Sequence, residues 1–186
     1  MIEVEIKVNL SNENPEKILE SLLKMGFLKK EIKEQTDTYF NGIDRDFQIT
    51  DEALRIRCSK TVGKNDEKIY VTYKGKKLDG ISKTREEIEV EVFEVNSMHK
   101  IFEKLGFKPV RPIKKVREIY QKEDIEVSFD DVLDVGKYLE IEKVVSNNFE
   151  RESALFELLD LLKSLNISTD KLEKRSYLEL RRGNRE

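Results

Sequence analysis

The residues in this chain that can do chemistry are carboxylates and cations placed two apart. Glu3-x-Glu5-x-Lys7 stands near the start, and Arg55-x-Arg57, Glu87-x-Glu89, Lys115-x-Arg117 and Glu140-x-Glu142 repeat the spacing. Lys74, Arg85 and Asp130 stand singly. On a β-strand, residues two apart share a face, so each pair presents two like charges in one direction. Clustered carboxylates suit Mg2+ or Mn2+, which take oxygen ligands and bridge phosphates. Paired Lys and Arg suit phosphate oxygens. A polyphosphate with a divalent metal needs both sets, because a triphosphate carries about four negative charges that cations must share.

Other chemistries are short of residues. The chain has one cysteine, Cys58, which excludes an internal disulfide framework and a cysteine-based zinc site. Its one histidine, His99, leaves little for histidine metal sites or a Ser-His-Asp triad. The net charge is only −3, which argues against a general nucleic-acid binder.

The 186 residues fit one domain, 1–186, with enough chain to bury a core. Charged residues make up 39%, against an average of about 25%, and hydrophobic residues make up 38%. That balance excludes disorder. Abundant Lys and Glu without Trp follow the compositional drift of thermophiles. No run reaches the roughly 18 apolar residues a membrane span needs. Acids at Glu3 and Glu5 leave no signal-peptide core, so a cytoplasmic protein with no membrane partner is expected.

The elements that must position the charges are mostly strands. Ile2, Val4, Ile6 and Val8 alternate with Glu3, Glu5 and Lys7, and the same period of two recurs over 54–58, 85–92 and 138–145. Further strands are expected at 35–40, 69–74, 113–121 and 125–132. Helices interrupt them. Asn14-Pro15 announces the first, with Ile18, Leu19, Leu22 and Leu23 as its stripe and Gly26 as its end. The second is expected over about 97–105, stopped by Gly106, and the third over about 152–165, stopped by Asn166. Ser176-Tyr177-Leu178-Glu179 has capping-box spacing and predicts a short closing helix.

Glu3-x-Glu5, helix, Met25-Gly26-Phe27 and strand recur as Glu89-x-Glu91, helix, Leu105-Gly106-Phe107 and strand. Glu140-x-Glu142, helix and Leu165-Asn166-Ile167 begin a third copy whose ending fits less well. Cys58, on the face of Leu54 and Ile56, reads as packing. His99 reads as surface or capping, and Tyr39, Tyr73 and Tyr120 as core aromatics. Arg181, Arg182 and Arg185 read as a solvated basic tail.

For any one strand, a solvated face explains the alternation. It explains less well why Glu-x-Glu recurs, and why Arg-x-Arg and Lys-x-Arg form same-face pairs. A barrel with its charged faces inside explains both. Helices must then cover an apolar exterior, and the enclosed charges must pair or bind a charged ligand.

Glu3-x-Glu5-x-Lys7 resembles the ExExK signature of the CYTH superfamily, the triphosphate tunnel proteins. Gln35-x-Asp37-Thr38-Tyr39-Phe40, Leu54-Arg55-Ile56-Arg57, Thr72-Tyr73-Lys74-Gly75 and Arg85-Glu86-Glu87-x-Glu89 follow in the family's order. So do Lys115-x-Arg117-x-x-Tyr120, Asp130-Asp131-Val132, Gly136 and Glu140-x-Glu142. The resemblance implies an α+β fold: a closed antiparallel eight-stranded β-barrel, the triphosphate tunnel, with helices packed outside. It implies Glu3, Glu5 and Lys7 as the catalytic signature. Lys7, Arg55, Arg57, Lys74, Arg85, Lys115 and Arg117 would bind phosphate. Glu3, Glu5, Asp130, Glu140 and Glu142 would place Mg2+ or Mn2+, with Glu87 and Glu89 in support.

Within that family the compact chain and the ending Ser176-Tyr177-x-Glu179-Leu180 look most like class IV adenylyl cyclases, which form cyclic AMP and pyrophosphate from ATP. An inorganic or thiamine triphosphatase is the alternative, and a non-catalytic polyphosphate- or nucleotide-binding module the alternative of another class. A homodimer is expected.

Overall fold

The computed structural model describes residues 2–78, 80 and 82–183. The strands are β1 (Ile2–Asn9), β2 (Leu28–Asn41), β3 (Ala53–Thr61), β4 (Glu67–Lys74) and β5 (Arg85–Val92), then β6 (Lys108–Pro109), β7 (Ile113–Lys122), β8 (Ile125–Val132) and β9 (Gly136–Val145). The helices are α1 (Pro15–Lys24), α2 (Phe47–Thr50), α3 (Val95–Lys104), α4 (Asn148–Ser164) and α5 (Tyr177–Gly183). The strands pair in the order β3-β4-β5-β1-β9-β8-β7-β2, and β2 pairs back to β3. All these pairings are antiparallel, so eight strands close into a barrel. The two-residue β6 attaches to the end of β2.

Closure satisfies the backbone groups that an open sheet would leave at its edges. Register puts like parity on like face: Lys7 lies opposite Glu140, Glu5 opposite Glu142, and Arg57 opposite Asp37. One face of the alternation points into the barrel and the apolar face points out. α1 and α4 cover part of that exterior, and Ile18, Leu22, Leu158 and Leu162 bury Val4, Ile6, Val8, Leu139 and Ile141. Full burial of each such side chain stabilises the fold by about 1.5–3 kcal/mol. α3 covers a second patch, where Phe102 packs on Phe40 and Ile56.

Three helices stop on a left-handed residue, Gly26 (φ 89°), Gly106 (φ 92°) and Asn166 (φ 59°). The two glycines adopt that backbone without a Cβ clash, and Asn tolerates it better than most residues. α4 begins at Asn148, one turn before the expected start, because Asn147 caps it and accepts from the amides of Phe149 and Glu150. α3 begins at Val95 for the same reason, with the Glu94 side chain as its cap. The first two pseudo-repeats hold as strand–helix–strand. The third runs from α4 into a 3-10 turn at Thr169–Lys171 and then α5, with no strand after it among the described residues.

α5 departs from the expectation that every helix lies on the outer wall. Its Tyr177 and Leu180 pack against Ile113, Val132 and Tyr138. These three share strand parity with Lys115, Asp130 and Glu140, so α5 seats on the inner face and caps one barrel end. The expected capping box starts it: the Ser176 amide donates to Glu179, and the Glu179 amide donates to Ser176 Oγ at 3.2 Å.

Candidate active site

The inward faces enclose a cavity of about 410 Å³. Arg55 and Arg57 from β3, Lys74 from β4, and Lys115 and Arg117 from β7 reach it, as do Arg85, Glu87 and Glu89 from β5. Glu3 and Glu5 from β1 and Glu140 and Glu142 from β9 line it with them. Alternation alone places these groups, because each stands at a same-parity position of a barrel strand. Lys7 and Asp130 are not among the lining residues. Both are buried beneath α5, at 1% and 2% exposure.

Most of the enclosed charges are paired. Asp37 accepts both arms of the Arg57 guanidinium at 2.7 Å and lies 3.5 Å from Arg55. Burial pushes the Asp37 carboxyl up, but Arg57 and Arg55 outweigh it and hold the group far below the usual carboxylate range. Lys74 bridges Glu3 at 3.0 Å and Glu87 at 2.7 Å. Glu87 and Glu89 also flank Arg55, at 3.7 and 3.6 Å. Asp130 accepts from Lys115 at 2.9 Å, from Arg117 at 2.7 and 2.6 Å, and from the Tyr177 hydroxyl at 2.9 Å. Arg117 also binds Glu140.

Lys7 donates to the Arg175 carbonyl at 2.5 Å, with its ammonium 4.1 Å from the Tyr177 ring centre. Burial, then the nearby charge of Lys83, lower it to about 7. Lys115 falls to about 8 through burial and Arg117.

The acids fit a divalent cation by donor type. Glu142 makes no hydrogen bond or ion pair among the described residues, and burial followed by the charge of Glu3 raises its carboxyl well above the usual value. Glu3 and Glu5 carry the remaining oxygens on that side of the cavity, and Glu5 stands opposite Glu142 in register. Such a set offers only oxygen ligands, the donor type that Mg2+ and Mn2+ prefer. Among the described residues, no three acids converge into a ready-made cage. The reason is visible in the pairs, since Glu3, Glu5, Asp130 and Glu140 each face a cation of the chain itself.

Sequence reasoning passed over several residues here. Lys83, in the β4–β5 connection, binds Glu5 and lies 3.3 Å from Glu140. Parity extended two residues back from Arg85 would have found it. Asp37 stood in a quoted motif without a role and proves to be the anion that orients two arginines. Tyr177 closes the α5 end against Asp130 and Lys7. The solvated basic tail is corrected in part. Arg181 is buried and donates to the carbonyls of Pro112, at 2.5 Å, and Arg111. Arg182 is exposed but donates to Gln48, and Arg185 lies outside the described residues. His99 is half-buried with its ring 5.3 Å from Phe40, a packing role outside the barrel. Cys58 is half-buried on the outward face, and Tyr120 is core.

A closed antiparallel barrel whose interior carries a wall of cations beside carboxylates matches a polyanion by charge. Comparison with known proteins places it more narrowly. The model of the CYTH domain matches residues 1–177, and the chain belongs to the CYTH family, whose members act on triphosphates. A Methanocaldococcus jannaschii protein provisionally named an adenylate cyclase is 55% identical over 181 residues, covering 97% of this chain and 99% of that one. A solved structure from Pyrococcus horikoshii OT3 is 38% identical, with a TM-score of 0.85 over 96% of this chain and 97% of that one. A Hippeastrum protein described as having a dominant triphosphatase activity shares the fold at 19% identity, with a TM-score of 0.60 over 98% and 95% of the two chains.

Proposed function

We propose that the chain is a metal-dependent adenylyl cyclase of the class IV kind, converting ATP to cyclic AMP and pyrophosphate. The observation that carries this reading is the enclosure of the cations of β3, β4, β5 and β7 and the carboxylates of β1 and β9 in one cavity. The likeness to the provisionally named cyclase over nearly the whole of both chains supports it.

In this reading Arg55, Arg57, Lys74, Arg85, Lys115 and Arg117 hold the phosphate oxygens by charge-assisted hydrogen bonds. Lys7, buried beneath this wall and lowered to about 7, adds only part of a positive charge at neutral pH. Glu87, Glu89 and Asp37 hold Arg55, Arg57 and Lys74 in position. Glu3, Glu5, Glu140 and Glu142, with Asp130 behind them, place Mg2+ or Mn2+. Bound there, the metal supplies Lewis-acid activation of the ribose 3′-hydroxyl and neutralises charge on the departing pyrophosphate. The 3′-oxygen attacks the α-phosphorus, the bond from that phosphorus to the oxygen bridging it to the β-phosphate breaks, the oxygen leaves with pyrophosphate, and the hydroxyl proton passes to solvent water. Fixing the phosphate chain in the tunnel restricts the approach of the ribose, which is the larger part of what a rigid basic wall contributes.

The second reading is hydrolysis at the terminal phosphorus, with water as nucleophile. The same wall serves it, and the Hippeastrum protein is described as doing mainly this. Incubation with ATP, 3′-deoxy-ATP, tripolyphosphate and thiamine triphosphate separates the two. Cyclic AMP and pyrophosphate from ATP, with neither from 3′-deoxy-ATP, support the cyclase. Orthophosphate alone, with rapid cleavage of tripolyphosphate, overturns it. The reading also puts the protein in the cytoplasm, without nucleic-acid partners, as a homodimer. Sedimentation as a monomer at working concentration would refute the last point.

A further inference from the structure

The ammonium of Lys83 stands between two carboxylates of the cavity, Glu5 and Glu140. It belongs to the segment between β4 and β5, and its backbone amide donates to the Glu5 carbonyl at 2.9 Å, continuing the β5 edge along β1. Its neighbours Ser82 and Thr84 are buried, so the main chain at this point is pinned. The side chain points into the cavity and is 12% exposed. Its ammonium binds the Glu5 carboxylate and lies 3.3 Å from Glu140 Oε1. These are two of the carboxylates that the proposed reading gives to the metal. One positive charge already occupies the position between them.

We propose that Lys83 is a built-in cation that holds the Glu5–Glu140 carboxylate pair in the metal-free chain and must be displaced when a divalent ion binds. This rests on the metal-dependent reading above. Electrostatics and space both require the exchange. Two carboxylates this deeply enclosed repel each other unless a cation lies between them. An ammonium within hydrogen-bond reach of their oxygens repels a divalent ion and occupies the lone pairs it needs. Only the four-carbon arm has to move, because the backbone of Lys83 is held by β1. The free ammonium then faces the same cavity as the phosphate-binding cations, where a polyphosphate can accept its hydrogen bonds.

The test is calorimetric titration of Mn2+ into the nucleotide-free full chain and into Lys83→Met and Lys83→Arg. Losing the competing charge-assisted bond should tighten Mn2+ binding by roughly ten- to a hundredfold in Lys83→Met, with Lys83→Arg near wild type. Thermal melting supplies a second readout. Without metal Lys83→Met should melt below wild type, and Mn2+ should raise its melting temperature more than it raises that of wild type. Equal or weaker Mn2+ binding by Lys83→Met than by wild type overturns the proposal while leaving metal dependence standing. Absence of Mn2+ binding by every form overturns both. If Lys83→Met fails to fold without metal, recovery of the fold on adding Mn2+ supports the exchange, and failure to recover refutes it.

Discussion

Asp130→Asn tests whether Asp130 organises the basic wall. The carboxylate is fully enclosed, with a side-chain exposure of 0%, and receives four donors from Lys115, Arg117 and Tyr177. The substitution keeps the shape and removes the charge. It also turns one oxygen into an amide donor that faces other donors. Lys115, already lowered to about 8 by burial and Arg117, can answer by releasing its proton. Arg117 cannot, because a guanidinium stays protonated in proteins. It keeps Glu140 as a partner, which limits the damage.

Breaking one partner of a buried pair in this way costs about 3–5 kcal/mol. For a chain of this size that corresponds to a fall in melting temperature of roughly 10 °C, at about 2–4 °C per kcal/mol. The assay is far-ultraviolet circular dichroism on the metal-free protein, with and without tripolyphosphate. The anion should recover much of the loss, because it binds the folded state through the cations that Asp130 no longer neutralises. A metal-free Asp130→Asn melting within about 1 kcal/mol of wild type would refute the structural argument and return Asp130 to metal binding alone.

Arg57→Ala and Lys74→Ala should each weaken binding of both ATP and tripolyphosphate by roughly ten- to a hundredfold in calorimetry, since each removes a charge-assisted phosphate contact. Lys7 makes stability rise with pH between about 7, its folded value, and 10.5, its ordinary value. Over that window the unfolded chain binds the proton that the folded chain has released. Urea melts of Lys7→Met should lose this slope. Glu142 acts in the opposite sense. Its raised carboxyl makes the metal-free fold lose stability as pH climbs above the ordinary 4.5, so Glu142→Gln should melt higher than wild type at neutral pH without metal, and bind Mn2+ more weakly.

Many of the strands could be read from the chain because period two is enforced wherever a barrel strand has an apolar outside and a charged inside. Ile2 to Val8 follow the rule without exception and Arg85 to Val92 with one, Glu86, and their strands fall where alternation puts them. β2 outran the expected 35–40 because Leu28 to Glu34 is an exposed to half-buried stretch where Lys and Glu fill both faces. The site was legible for the same reason as the strands, but only in part. Parity tells which face a charge is on and says nothing about depth. Lys7 and Lys74 share a face by pattern, yet Lys7 is sealed beneath Tyr177 while Lys74 meets the cavity. Lys83 was passed over because it stands two residues before its strand, and Tyr177 was read only as part of a helix start because where α5 seats depends on tertiary packing.

The pairing of the cavity arginines Arg55, Arg57 and Arg117 with acids has a consequence for how ligands enter. Arg55, Arg57 and Arg117 are held by Glu87, Glu89, Asp37, Asp130 and Glu140, and Glu5 is held by Lys83. Apart from Glu142, a triphosphate or a metal ion meets groups that already have a partner, so each binds largely by exchange. A triphosphate drawing Arg117 or Lys74 toward itself leaves Glu140 or Glu3 short of positive charge, which favours a divalent ion there. A metal ion on the acids releases the same cations for phosphate. The two ligands should therefore bind with positive coupling, and linkage requires the factor to be the same from either side. Typical couplings of about 1–3 kcal/mol correspond to roughly 5- to 150-fold. The measurement is tripolyphosphate titration at zero and saturating Mn2+, corrected for the complex the two form in solution, followed by the reverse titration. Equal affinities after that correction would mean that the internal ion pairs stay closed when ligands bind, and would remove the exchange mechanism.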